Sequence, residues 1–135
     1  MNRRTFLVTT AAVVAAGPAL TAGMDYAPGL VKSELAAGKT VFLDFAADWC
    51  TTCRAQERVI NALKSENPAY EANISFIRVD WDDFRTADIT RELNIPRRST
   101  LVVLYGDAEL GRIVAGTSKG QIKSLMDAAL SAASA

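Results

Sequence analysis

The chain has 135 residues, half of them hydrophobic and 22% charged, with a formal net charge of zero; this is enough for one domain with its own core, and no excess of basic charge argues for nucleic acid. There is no histidine, and the two cysteines stand three positions apart. That composition excludes Ser/His and Cys/His nucleophilic pairs, histidine-ligated metals and a histidine pH switch.

The first 22 residues read as an export address. Asn2-Arg3-Arg4-Thr5-Phe6-Leu7 resembles the twin-arginine signal, and an apolar, alanine-rich run from Leu7 to Ala16 follows it. Small residues then gather from Gly17 to Ala22, as at a signal cleavage site. The competing reading is a transmembrane anchor, but the run is shorter than the roughly 20 apolar residues a spanning helix needs. The expectation is therefore a cleaved signal over 1–22, a mature domain over 23–135 and a periplasmic location, where disulfide chemistry is permitted. Removing Arg3 and Arg4 leaves that domain slightly acidic.

In the mature chain, Leu30 to Ala37 predicts a short helix stopped by Gly38. Thr40 to Ala47 is nearly continuous apolar sequence, the mark of a strand buried on both faces. Cys50 to about Lys64 predicts a helix with Val59 and Leu63 on one face and Pro68 past its end. Ile74 to Val79 predicts a strand, and Trp81-Asp82-Asp83 a solvated loop after it. Thr86 is the expected cap of a helix carrying Ile89 and Leu93. Leu101–Tyr105 and Leu110–Val114 form a predicted hairpin turned by Gly106-Asp107. Ser118 opens the last helix, whose Ile122, Leu125, Met126, Ala129 and Leu130 make a core-facing stripe. The order is α-β-α-β-α-β-β-α, an α/β domain with one parallel crossover and a later antiparallel pair.

The cysteine pair carries the chemistry. Trp49-Cys50-Thr51-Thr52-Cys53 leaves a buried strand and opens a helix. Residues three apart on a helix share a face, with Cα atoms about 5 Å apart, inside the roughly 4.4–6.8 Å that a disulfide spans. So small a loop gains little entropy from closure, and redox chemistry is the better reason for the pair. Cys50 sits where free N–H groups and the helix dipole favour a thiolate, so it is the expected nucleophile. Cys53, one turn in, suits the resolving role. Asp44 is the one charge in its apolar strand; burial raises such a pKa, and it can take the proton of Cys53. Two thiolates fill only half of a tetrahedral metal site, so a metal would need ligands from a second chain.

Phe42-Leu43-Asp44-Phe45-Ala46-Ala47-Asp48-Trp49-Cys50-Thr51-Thr52-Cys53 resembles the active-site segment of thioredoxins. Ala47-Asp48-Trp49-Cys50 is similar to the C-terminal periplasmic domain of transmembrane thiol–disulfide interchange proteins. The resemblance runs over roughly Gly38 to Leu130 in element order. It implies a thioredoxin-like fold with a central mixed four-stranded sheet flanked by helices. It also implies Cys50 as nucleophile, Cys53 as resolving thiol, Asp44 as the base, and no cofactor beyond the pair. The implied partners are protein thiols and disulfides.

The pattern breaks at Asn94-Ile95-Pro96-Arg97-Arg98-Ser99-Thr100-Leu101. Thioredoxins place a cis-proline opposite the cysteines; aligned on Thr100-Leu101, that position holds Ser99. A cis bond before serine costs about 2.5–4 kcal/mol, so the Arg98–Ser99 bond is expected to be trans. The family uses this loop to bind the partner's backbone, so Arg98, Ser99 and Thr100, with Trp49, are the expected substrate contacts. Arg98 beside Cys50 would favour its thiolate.

The expected function is periplasmic thiol–disulfide exchange by a monomer, with a membrane protein as electron donor. Thr51-Thr52 holds no histidine of the kind that oxidising members carry, which favours a reductant. Two other readings stand beside it. One is a metal-handling module for cytochrome or copper-site assembly, supported by Ser99. The other is a redox-silent interaction domain, against which the intact cysteine pair argues.

Overall fold

The computed structural model describes residues 23–134; the predicted export signal lies outside them. Five strands form one sheet in the order β1-β3-β2-β4-β5. They are β1 (Met24–Asp25), β2 (Thr40–Ala46), β3 (Ile74–Asp80), β4 (Thr100–Tyr105) and β5 (Ala108–Val114). β3 runs parallel to β1 and β2, while β4 is antiparallel to β2 and to β5. The fold class is the expected thioredoxin-like α/β fold. The sheet has five strands rather than four, because two residues after the predicted signal pair with Ile77 and Arg78 at the free edge of β3.

β2 is central and all seven of its residues are buried, as its apolar run requires. Alternate side chains leave it for opposite faces. Phe42 packs with Ile60, Leu63, Tyr70, Leu101, Ile122 and Met126 beneath α2 (Thr51–Glu66), α3 (Ala69–Asn73) and α6 (Lys119–Ala133). Leu43 and Phe45 pack with Val31, Ile77, Val79, Ile89 and Val102 on the other face. That face carries α1 (Leu30–Ala36), α4 (Trp81–Phe84) and α5 (Asp88–Glu92). Each fully buried aliphatic or aromatic side chain here stabilises the fold by about 1.5–3 kcal/mol.

Two local expectations change. The Trp81-Asp82-Asp83 loop is the helical turn α4, because the Asp80 carboxylate accepts from the amides of Asp82 (2.9 Å) and Asp83 (3.3 Å) and caps it. Ala87, not Thr86, precedes α5, with no side-chain cap. Pro68 lies past the end of α2, as expected, and also takes the N-cap position of α3. No helix among the described residues is long and apolar enough to cross a membrane.

Candidate active site

The end of β2 delivers the chain through Ala47-Asp48-Trp49 to the start of α2. Arg54 fixes that loop, donating from Nε (3.0 Å) and Nη2 (2.6 Å) to the carbonyl of Asp48. Cys50 is the N-cap of α2, and its sulfur accepts from the Cys53 amide at 3.2 Å. No acidic residue stands in the first turn of α2. The sulfur is thus the anion that the exposed N–H groups and the dipole favour.

Both cysteines are free thiols and both are buried, Cys50 at 3% and Cys53 at 1% exposure. Burial opposes the ionisation of Cys50. It is outweighed by the adjacent Cys53 thiol, hydrogen bonds from the Ser99 hydroxyl and the Cys53 amide, and the nearby Arg98 guanidinium, which together lower the thiol to about 7. Burial and the neighbouring Cys50 push Cys53 the other way, above its ordinary value. One sulfur is made a nucleophile and the other is held as a protonated reserve.

Ser99 lies against both sulfurs, its Oγ 3.2 Å from Cys50 Sγ and 3.1 Å from Cys53 Sγ. Every peptide bond among the described residues is trans. Ser99 takes φ +64°, a left-handed conformation uncommon for a residue with a side chain. Its N–H donates to Phe45 O at 2.7 Å, and its carbonyl accepts from Ala115 N and from Gln56 Nε2, each at 2.9 Å. Gln56 also donates to Gly116 O at 3.0 Å.

Arg98 stacks its guanidinium 4.5 Å from the centre of the Trp49 ring, beside Cys50. The Trp49 indole N–H donates to the Asp82 carboxylate, at 2.9 Å to Oδ2. With 56% of its surface exposed, Trp49 forms one wall of the entrance. Thr100, by contrast, is fully buried and donates its hydroxyl to Arg97 O at 2.7 Å. It shapes the loop from inside and offers no surface to a partner.

Asp44 projects from β2 into a cavity of about 180 Å³ shared with Glu57, Lys64 and Arg78. Burial raises its pKa to about 7, with Glu57 adding to the rise and Arg78 opposing it. Its Oδ1 has no hydrogen-bond partner. No hydrogen bond joins Asp44 to Cys53, whose sulfur meets the Ser99 hydroxyl instead. Asp48 is a surface charge, paired with Arg78 at 2.9 Å.

Gln56 is the functional residue that the sequence left unread. Its signal was available: a polar side chain in the buried stripe Cys53, Gln56, Ile60, Leu63 of α2. Among the described residues no three His, Cys, Asp or Glu side chains converge as a metal cluster.

Comparison with known proteins gives the same answer as the geometry. The family description that fits the chain is Thioredoxin, matched over residues 29–128. Thioredoxin H2-1 of Oryza sativa is 29% identical over 96 residues, which are 71% of this chain and 64% of that protein. Thioredoxin H-type of Fagopyrum esculentum is 31% identical over 85 residues, 63% of this chain and 67% of that one. The chain thus spans about two thirds of the length of these relatives. Among solved structures, Trxlp from Edwardsiella tarda superposes with a TM-score of 0.64 at 26% identity, covering 75% of this chain and 96% of its own. Thioredoxins need no cofactor beyond the redox dithiol. This chain belongs to the thioredoxin family of thiol–disulfide oxidoreductases, with Cys50 and Cys53 as its redox pair.

Proposed function

We propose that this chain reduces disulfides of partner proteins in the periplasm, delivered there by its twin-arginine-type N-terminus. The carrying observation is the placement of the free thiol pair: Cys50 Sγ caps α2 and accepts from the Cys53 amide at 3.2 Å, which favours its thiolate, while Cys53 is buried one turn in. Cys50 attacks a partner disulfide, and Cys53 resolves the mixed disulfide and releases the reduced partner. The absence of histidine between the cysteines supports the reducing direction. Trp49 and Arg98 flank the entrance and are the surfaces a partner would meet first. The Asp44 carboxyl lies in a cavity whose lining includes neither cysteine, so it has no contact through which to take the Cys53 proton. A membrane protein would return electrons to a monomeric chain.

The test pairs chemistry with location. The reduced chain should reduce a protein disulfide, Cys50→Ser should abolish the activity, and Cys53→Ser should accumulate a mixed disulfide. A reporter fused behind residues 1–30 should reach the periplasm only when the twin-arginine pathway works. Full activity in Cys50→Ser, or a reporter retained in the cytoplasm, would refute the respective half.

A further inference from the structure

The two sulfurs converge on a single hydroxyl. Ser99 Oγ is almost equidistant from Cys50 Sγ and Cys53 Sγ, at 3.2 and 3.1 Å. A serine hydroxyl has one proton to donate and two lone pairs to accept, and it rotates freely to suit its partners. It can therefore donate to only one sulfur at a time. The residue around it cannot drift: its N–H is held by Phe45 and its carbonyl by Gln56 and Ala115. It is also wholly buried, so water does not compete for the hydroxyl. The backbone at φ +64° would suit glycine with no steric penalty, whereas a serine there is strained. What the position gains from serine is the hydroxyl.

We propose that Ser99 is a catalytic residue whose hydroxyl hydrogen-bonds in turn to whichever sulfur carries the attacking charge, first Cys50 and then Cys53. This rests on the disulfide-exchange reading above. In the reduced pair the hydroxyl donates to the Cys50 thiolate. Cys50 Sγ then attacks the partner disulfide. A bond forms from Cys50 to one partner sulfur, the partner S–S bond breaks, and the second partner sulfur departs with the electron pair as a thiolate. Cys50 is now a neutral disulfide sulfur and a poor acceptor. The hydroxyl turns to Cys53 and stabilises its thiolate as the Cys53 proton passes to the departed partner thiolate. Cys53 Sγ attacks Cys50 Sγ, the intramolecular disulfide forms, and the first partner sulfur leaves with its pair. The two electrons come from the dithiol and the proton from Cys53, so the exchange balances without a further base.

Losing a hydrogen bond to a thiolate raises the thiol pKa by about one to two units, and because the remaining thiolate is the more nucleophilic for it, each attack should slow by about three- to twentyfold below the thiol pKa. The test uses Ser99→Gly and Ser99→Ala. Both remove the hydroxyl, but only alanine keeps the steric penalty of a positive φ. One equivalent of a chromogenic aryl disulfide is mixed with the reduced chain in a stopped-flow instrument. The first aryl thiolate released reports attack by Cys50, and the second reports attack by Cys53. At about pH 6, below the Cys50 pKa of about 7, both phases should slow by about three- to twentyfold in both variants, while Ser99→Gly unfolds at no lower denaturant concentration than wild type. Slowing confined to the first phase, or to the strained Ser99→Ala, would overturn the role. So would a Ser99→Gly chain that keeps both phases within about twofold of wild type. A wild-type chain that releases no thiolate at all would sink the exchange reading itself.

Discussion

Gln56 donates to the carbonyl of Ser99 at 2.9 Å, tying the helix that carries both cysteines to the loop that faces them. The same amide reaches Gly116 O at 3.0 Å, so one side chain bolts three segments together behind the sulfurs. Gln56 is fully buried, and its Oε1 is left without a partner, so the position tolerates an unsatisfied acceptor in order to keep its two donors.

Gln56→Ala removes both hydrogen bonds and leaves Gly116 O without that donor. The expected loss is about 2–3 kcal/mol of unfolding free energy. Chemical denaturation should show a lower midpoint with an unchanged slope.

The Cys50 thiol should titrate near 7. Alkylation of the reduced chain by iodoacetamide should rise with pH through that midpoint at Cys50, while Cys53 stays largely unmodified. Arg98→Ala removes the guanidinium beside the sulfur and should move the midpoint upward. An unchanged midpoint would rule out Arg98 as a contributor.

Asp44 gives a pH dependence of stability with a definite sign. Its folded pKa, about 7, lies above its ordinary value of 3.8. Between those values the unfolded chain has released the proton that the folded chain still binds, so stability falls as pH rises from about 4 to about 7. Asp44→Asn cannot ionise. It should flatten that slope and stabilise the chain at neutral pH by an amount on the order of 2–4 kcal/mol. Thermal melts across that range, compared between the two proteins, measure it.

Ala115 holds φ +60° where the chain leaves β5, with its N–H bound to Ser99 O. Ala115→Gly should stabilise the fold by roughly 0.5–1 kcal/mol, because glycine enters this region without the Cβ clash. A lower denaturation midpoint would contradict that account.

The parts of the site written in local spacing were legible in the sequence. The cysteine pair at a strand-to-helix junction, the buried run of β2, the β4–β5 hairpin and the apolar stripe of α6 all rest on neighbours a few residues apart. What depends on distant contacts was not legible. Two-residue β1 has no periodicity and exists only because the edge of β3 receives it. The turn α4 depends on one carboxylate, Asp80, rather than on an apolar pattern. Ser99 was expected opposite the cysteines, but its left-handed backbone and its contact with both sulfurs come from Phe45, Gln56 and Ala115, which lie far away in sequence. Asp44 showed its burial in sequence but not its surroundings, because Glu57, Lys64 and Arg78 join it from α2 and β3.

The central claim is that Cys50 and Cys53 form a reversible two-electron couple poised to reduce. Its most direct test is the equilibrium reduction potential of the chain, titrated against glutathione and dithiothreitol. The account predicts one reversible couple near thioredoxin's, about −270 mV. A couple near about −120 mV would make the chain an oxidant, and no reversible couple, or one seen only after a chelator is added, would contradict the redox reading and favour metal handling.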